Sequence, residues 1–116
     1  MRLNFSREIC GDVVVEIVEL TRATLKEARE FKDILSEDIK SNYLKFVVDL
    51  KDCEFIDSTF LSTLVTSLKL LMSRGGNIKL SSINSEVQSL LELTGTSRVF
   101  EIYQTKKEAV ESYSKE

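Results

Sequence analysis

The spacing of hydrophobic and polar positions changes period several times along the chain, and each change marks an element. Residues 3–9 alternate loosely, Gly11-Asp12 supplies a turn, and Val13-Val14-Val15-Glu16-Ile17-Val18 follows as a β-branched run. Two strand-like segments about a glycine turn predict an opening hairpin. The period then becomes helical: Leu25, Ala28, Phe31, Leu35 and Ile39 form one apolar stripe with charges opposite. Thr24-Leu25-Lys26-Glu27 stands at its start as a capping box, in which hydroxyl and carboxylate satisfy amides that the helix leaves unpaired. Phe46-Val47-Val48-Asp49-Leu50 is almost continuously apolar, as expected of a strand covered on both faces.

A second helix is expected from about Ser58, with Leu61, Leu64, Val65, Leu68, Leu71 and Met72 inward and Gly75-Gly76 ending it. Asn77-Ile78-Lys79-Leu80 reads as a short strand, and Val87, Leu90 and Leu91 mark a short helix stopped at Gly95. Val99–Tyr103 reads as the last strand. Thr105-Lys106-Lys107-Glu108 is a second capping box, opening a terminal helix with Ala109, Val110 and Tyr113 inward. Strands alternating with helices need crossover connections, so the sheet after the hairpin should be largely parallel. The expected architecture is a single α/β domain over residues 1–116, with a mostly parallel four- to five-stranded sheet, an N-terminal hairpin and about four flanking helices.

Composition narrows the chemistry. The 116 residues suit one domain. No apolar run approaches the ~20 residues of a membrane span, and the first residues carry alternating charge rather than a signal peptide's apolar stretch. A cytoplasmic protein without a membrane partner is expected. Net charge is −3, and Glu108 follows the one local basic cluster, Lys106-Lys107, so nucleic acid is not an expected partner. The chain has no histidine, which removes Ser-His-Asp and Cys-His nucleophiles, imidazole bases and histidine-containing zinc sites. It has neither a G-x-x-x-x-G-K-[ST] loop nor a G-x-G-x-x-G turn. No catalytic residue, metal or cofactor is therefore expected. Cys10 and Cys53 form no CxxC and read as free thiols, Cys53 buried beside a strand.

The most informative stretch runs from Phe46 to Val65. A buried strand ends, a loop passes through Phe55-Ile56, and Asp57, Ser58 and Thr59 meet a helix start. That position lies at the carboxyl edge of the sheet, the functional rim of α/β folds. On spacing alone these three residues are helix caps, because Asp, Ser and Thr accept hydrogen bonds from free amides. A response-regulator receiver is the rival α/β reading, with Asp49 as phosphoacceptor, Ser81-Ser82 as its hydroxyl and Lys106 as its lysine. It fails because no acidic pair follows Val13–Val18 to hold magnesium, and one helix rather than two precedes Asp49. Asp49 is then a strand-end residue expected to satisfy backbone amides.

Phe-Val-Val-Asp-Leu, then Phe-Ile-Asp-Ser-Thr, then a helix closed by Gly-Gly, resembles the STAS family of anti-sigma factor antagonists. Ile78-Lys79-Leu80, Leu90-Leu91-Glu92-Leu93-Thr94-Gly95, Val99–Tyr103 and Glu108-Ala109-Val110 match the family's order, so the resemblance covers roughly residues 13–113. It implies that Ser58 is phosphorylated by a partner anti-sigma factor with GHKL-type serine kinase activity, and restored by a serine phosphatase. Unphosphorylated antagonist would sequester the anti-sigma factor. Asp57, Ser58, Thr59 and Phe60 would form the partner-binding surface, with the exposed face of the helix carrying Ser62, Thr63, Thr66 and Ser67. Thr59 would be the alternative acceptor. The family also serves as scaffolds in stress-sensing assemblies and as subunits of transporters, which is the second functional reading. Two positions depart from the family pattern. Phe60 replaces a frequent glycine and is expected to place an exposed or half-buried ring beside the acceptor, and Val18-Glu19-Leu20-Thr21 replaces a Gly-Glu-Leu-Asp-like turn.

Overall fold

A computed structural model describes residues 3–116. In chain order the strands are β1 (Phe5–Cys10), β2 (Val13–Val18), β3 (Arg22–Ala23), β4 (Lys45–Asp49), β5 (Phe55–Ile56), β6 (Asn77–Ser81) and β7 (Glu101–Tyr103). The helices are α1 (Leu25–Lys40), α2 (Ser58–Met72), α3 (Ser85–Thr94) and α4 (Lys106–Tyr113). Five strands form the main sheet in the order β1-β2-β4-β6-β7. β1 and β2 pair antiparallel from Phe5↔Val18 to Cys10↔Val13, and every later pairing in the sheet is parallel. The turn between them needs Gly11 at φ 65°, a conformation disfavoured for a residue with a Cβ.

Alternation along the strands divides the core in two. Phe46 and Val48 face the larger cluster under α1, α2 and α3, while Val47 faces a smaller one under α4 with Val13, Val15, Ala109 and Tyr113. The larger core holds a stack of three rings. Phe31 of α1 lies between Phe5 and Phe60, with both centroid separations 4.9 Å.

Several terminal positions differ from the sequence expectation. Leu25 is 66% exposed, because it occupies the first turn of α1, beyond the layer where Phe31, Leu35 and Ile39 meet the sheet. Met72 ends α2 and is 60% exposed, while Leu71 takes the buried place. The last strand begins at Glu101 rather than Val99. Gly95 turns left-handed at φ 77°, a 3₁₀ turn over Thr96–Arg98 follows, and the amides of Val99 and Phe100 bond back to Thr96 O. Those amides are satisfied locally and cannot join the ladder.

The smaller core contains a polar centre. Lys79, 1% exposed, donates to Ser112 Oγ at 2.8 Å, pairs with Glu116 and Glu101, and lies 4.0 Å from the Tyr113 ring centroid. The Tyr113 hydroxyl donates to Phe46 O (2.7 Å) and Asn77 O (3.0 Å) and accepts from Phe46 N (3.2 Å), tying α4 to two strands. Burial pushes the Tyr113 phenol well above its ordinary range. A raised phenol pKa favours the folded state up to the unfolded value near 10.0 and loses that contribution as pH rises beyond it. Tyr113→Phe should cost about 1–2 kcal/mol in urea unfolding at pH 7, since three backbone groups lose a partner. Its stability should also decline less steeply than wild type above about pH 10, measured by unfolding across that range.

Candidate functional site

Parallel strands all end at one edge of a sheet, so the helices that follow them begin there, each with unpaired amides and a positive dipole end. Each of the first three helix starts has its own side-chain cap. Thr24 Oγ1 accepts from Lys26 N, Asp57 Oδ1 from Phe60 N at 2.8 Å, and Asn84 Oδ1 from Val87 N at 2.9 Å. At α1 the expected capping box is complete, with Thr24 N donating to Glu27 Oε1 at 2.9 Å.

Two short segments bind these starts into one surface. β3 and β5 pair in parallel, Arg22 with Phe55 and Ala23 with Ile56, and Asp57 N donates to Ala23 O at 3.2 Å. The Arg22 guanidinium sits 4.2 Å from the Phe55 ring centroid. Asn84 Nδ2 donates to Glu54 O at 3.1 Å, which fastens the α3 start to the same loop. Asp57 then crosses between helices: while Oδ1 caps α2, Oδ2 accepts from Leu25 N at 2.9 Å. One half-buried carboxylate thus holds the first turns of α1 and α2 together.

Ser58 follows as the first residue of α2 and is exposed. Among the described residues no side-chain hydrogen bond restrains its hydroxyl. Thr59 is also exposed, but the two side chains line different grooves along α2. Ser58 faces a groove of about 290 Å³ whose far wall is Thr94 and Thr96. Thr59 faces one of about 220 Å³ walled by Lys32 and Ser36 of α1. Both oxygens of the adjacent carboxylate already accept amide protons, so Asp57 is poorly placed to act as a base toward Ser58. The geometry presents a hydroxyl that can be acted upon.

A STAS domain model matches residues 6–109. The chain belongs to the STAS domain family. It is 35% identical over 108 residues to a Thermotoga maritima protein provisionally named an anti-sigma factor antagonist, covering 92% of this chain and 95% of that one. A crystal structure of a protein so described from Thermotoga maritima superposes with TM-score 0.84 at 34% identity, covering 93% of this chain and 92% of the other. The Bacillus cell fate determinant SpoIIAA in its phosphorylated form has TM-score 0.76 at 14% identity over 94% of this chain and 98% of its own, a likeness of fold alone.

In this STAS domain Asp57, Ser58 and Thr59 stand together at the rim, and the structure corrects the expectation for Phe60. Its ring is 0% exposed and stacked on Phe31, so it is part of the core and offers no ring surface to a partner. The reason is helical geometry: Phe60 is the third residue of α2, on the same inward face as Leu64, Ser67, Leu68 and Leu71. Ser67 is likewise buried, leaving Ser62 and Thr66 exposed and Thr63 half-buried on α2. Asp49, 5% exposed, accepts from Ser81 Oγ at 2.8 Å; its partner is a side-chain hydroxyl rather than the expected backbone amides. Cys53 is buried, donates to Phe55 O, and has its thiol pKa raised by burial, while Cys10 is exposed.

The sequence reading missed Leu25, Arg22, Ala23 and Asn84 as parts of this edge. The available signal was the order of elements, since a parallel sheet must bring successive helix starts to one side. Phe60→Ala should lower stability by about 3–5 kcal/mol in denaturant unfolding, as expected for an emptied core ring site. Thr59→Ala should stay within about 0.5 kcal/mol of wild type. In a native thiol-labelling assay Cys10 should react promptly, with Cys53 reacting on the timescale of unfolding.

Proposed function

We propose that this STAS domain is a non-enzymatic, cytoplasmic, phosphorylation-controlled antagonist that sequesters an anti-sigma factor while Ser58 is unmodified. The observation that carries the reading is the exposed Ser58 hydroxyl at the start of α2, beside a carboxylate committed to two amides. The names of its relatives support an anti-sigma factor as the partner. The kinase would be that same partner, of GHKL type, and a serine phosphatase would reverse the modification. Ser58 is favoured over Thr59 as acceptor because it is the residue directly after Asp57 in the motif that carries the family resemblance. The two side chains line neighbouring grooves that share Ser62 and Thr66.

A phosphoserine carries about −1.5 to −2 charges at pH 7. At the first turn of α2 it meets free amides and the positive end of the dipole, worth ~0.3–1 kcal/mol, and the adjacent Asp57 opposes it. These terms nearly cancel within the fold. At an interface the same charge must be desolvated, and a loss of ~3 kcal/mol there weakens binding more than a hundredfold. Ser58 and Thr59, with Ser62 and Thr66 along α2, form the docking surface in this reading. Phe60 supports it from beneath.

Wild type, Ser58→Glu and Thr59→Ala should be used as baits in cell lysate, with bound proteins identified by mass spectrometry. Wild type and Thr59→Ala are expected to retain a GHKL-type kinase, and Ser58→Glu to lose it. Retention of one partner by all three baits would sink the switch. Capture of a transporter or a large sensory assembly in place of the kinase would favour a scaffold role.

A further inference from the structure

The backbone of α1's first turn satisfies itself with one exception. Thr24 N donates to Glu27 Oε1, Lys26 N to Thr24 Oγ1, and the amides of Glu27 and Ala28 to Thr24 O. Leu25 N alone in this turn reaches outside, to Asp57 Oδ2, across 32 residues of sequence. On α2 the other oxygen of that carboxylate holds Phe60 N, and Leu61 N donates to Asp57 O. The amides of Ser58 and Thr59 precede those bonds and, as the first two of the helix, have no intrahelical acceptor.

We propose that Asp57 is a positioning residue that couples Ser58 to the first turn of α1, so that charge placed on Ser58 is transmitted to Leu25. This inference rests on reading Ser58 as the modified residue. A phosphate on Ser58 has two amides within its own turn to draw upon, which reinforces the start of α2. It also sets a second anion next to a carboxylate with one oxygen on each helix. Oδ1 is held inside the helix that the phosphate reinforces. The bond made by Oδ2 to Leu25 N is the one that crosses to a different element, and repulsion weakens it first. Leu25 carries a 66% exposed side chain on the outer rim, so loosening its amide changes a second stretch of the surface that a partner meets. Phosphorylation in this scheme alters the first turns of two helices through one side chain, while the strands beneath stay in register.

The test needs no kinase. Phosphoserine is installed at position 58 during translation in the full chain, in wild type and in Asp57→Asn, and backbone amides are followed by proton–nitrogen correlation spectra and hydrogen exchange. In wild type the phosphate should shift the Leu25 amide upfield and speed its exchange about tenfold, with Phe46 and Leu80 in the strands unchanged as internal references. In unmodified Asp57→Asn, whose amide oxygen can still cap Phe60 N, Leu25 should already exchange faster, and phosphate should add less than about a twofold further change. An unresponsive Leu25 in phosphorylated wild type would overturn the coupling. So would an equal response in Asp57→Asn, which would mean that the phosphate acts directly through space. Failure of the wild-type bait to capture a kinase, or capture by Ser58→Glu as well, together with a responsive Leu25, would remove the switch and leave the coupling. The expected captures with an unresponsive Leu25 would leave the switch and remove the coupling.

Discussion

The first turns of α1 and α2 at the carboxyl edge of the sheet are joined by one carboxylate shared between the two helices. A parallel sheet gathers helix starts at its carboxyl edge, which concentrates unpaired N–H groups and positive dipole ends in one place. Asp57 answers that demand with both oxygens, one to Phe60 N and one to Leu25 N. The next residue is consequently presented at a defined point in space while its own hydroxyl stays unrestrained. In the proposed switch, restraint of the backbone and freedom of the hydroxyl come from these two adjacent residues.

The two faces of the sheet divide the remaining work. The face under α1, α2 and α3 carries most of the apolar core, and its three stacked rings run from β1 through α1 to the first turn of α2. The opposite face is closed by α4 alone among the described helices, with a tyrosine hydroxyl and a buried lysine standing where other sheets place leucine or valine. Such polar anchoring gives less cohesion than packed hydrocarbon but a more specific fit, because each bond has a required direction. Neither face draws on Ser58 or Thr59. The edge can therefore change charge without putting the core at risk.

Phe60 shows how a ring beside the candidate site is absorbed into the core. Glycine at this position would leave the space beneath the helix start to be filled by neighbours, whereas the ring here extends the aromatic stack and makes the first turn of α2 part of the core. Beside the exposed serine this adds stiffness without adding a contact.

Hydrophobic periodicity alone determined the class of fold, the opening hairpin, the four helices and the central strands, because each of those elements buries a face whose period is written locally. The capping residues Thr24, Asp57 and Thr105 were legible for the same reason: a cap bonds amides two or three residues away. Asp57-Ser58-Thr59 stood out as a candidate site through its place after a buried strand. What tertiary structure alone decided was every relation between segments distant in sequence. The two-residue strands β3 and β5 are too short for any period to show, and they exist because each finds the other. Whether Phe60 faced solvent or core, which of Ser58 and Thr59 opened into which groove, and the second bond of Asp57 all depended on where α1 packs. A single sequence records the capacity of a carboxylate to accept two protons' worth of hydrogen bonds, and only the packed fold determines which amides supply them.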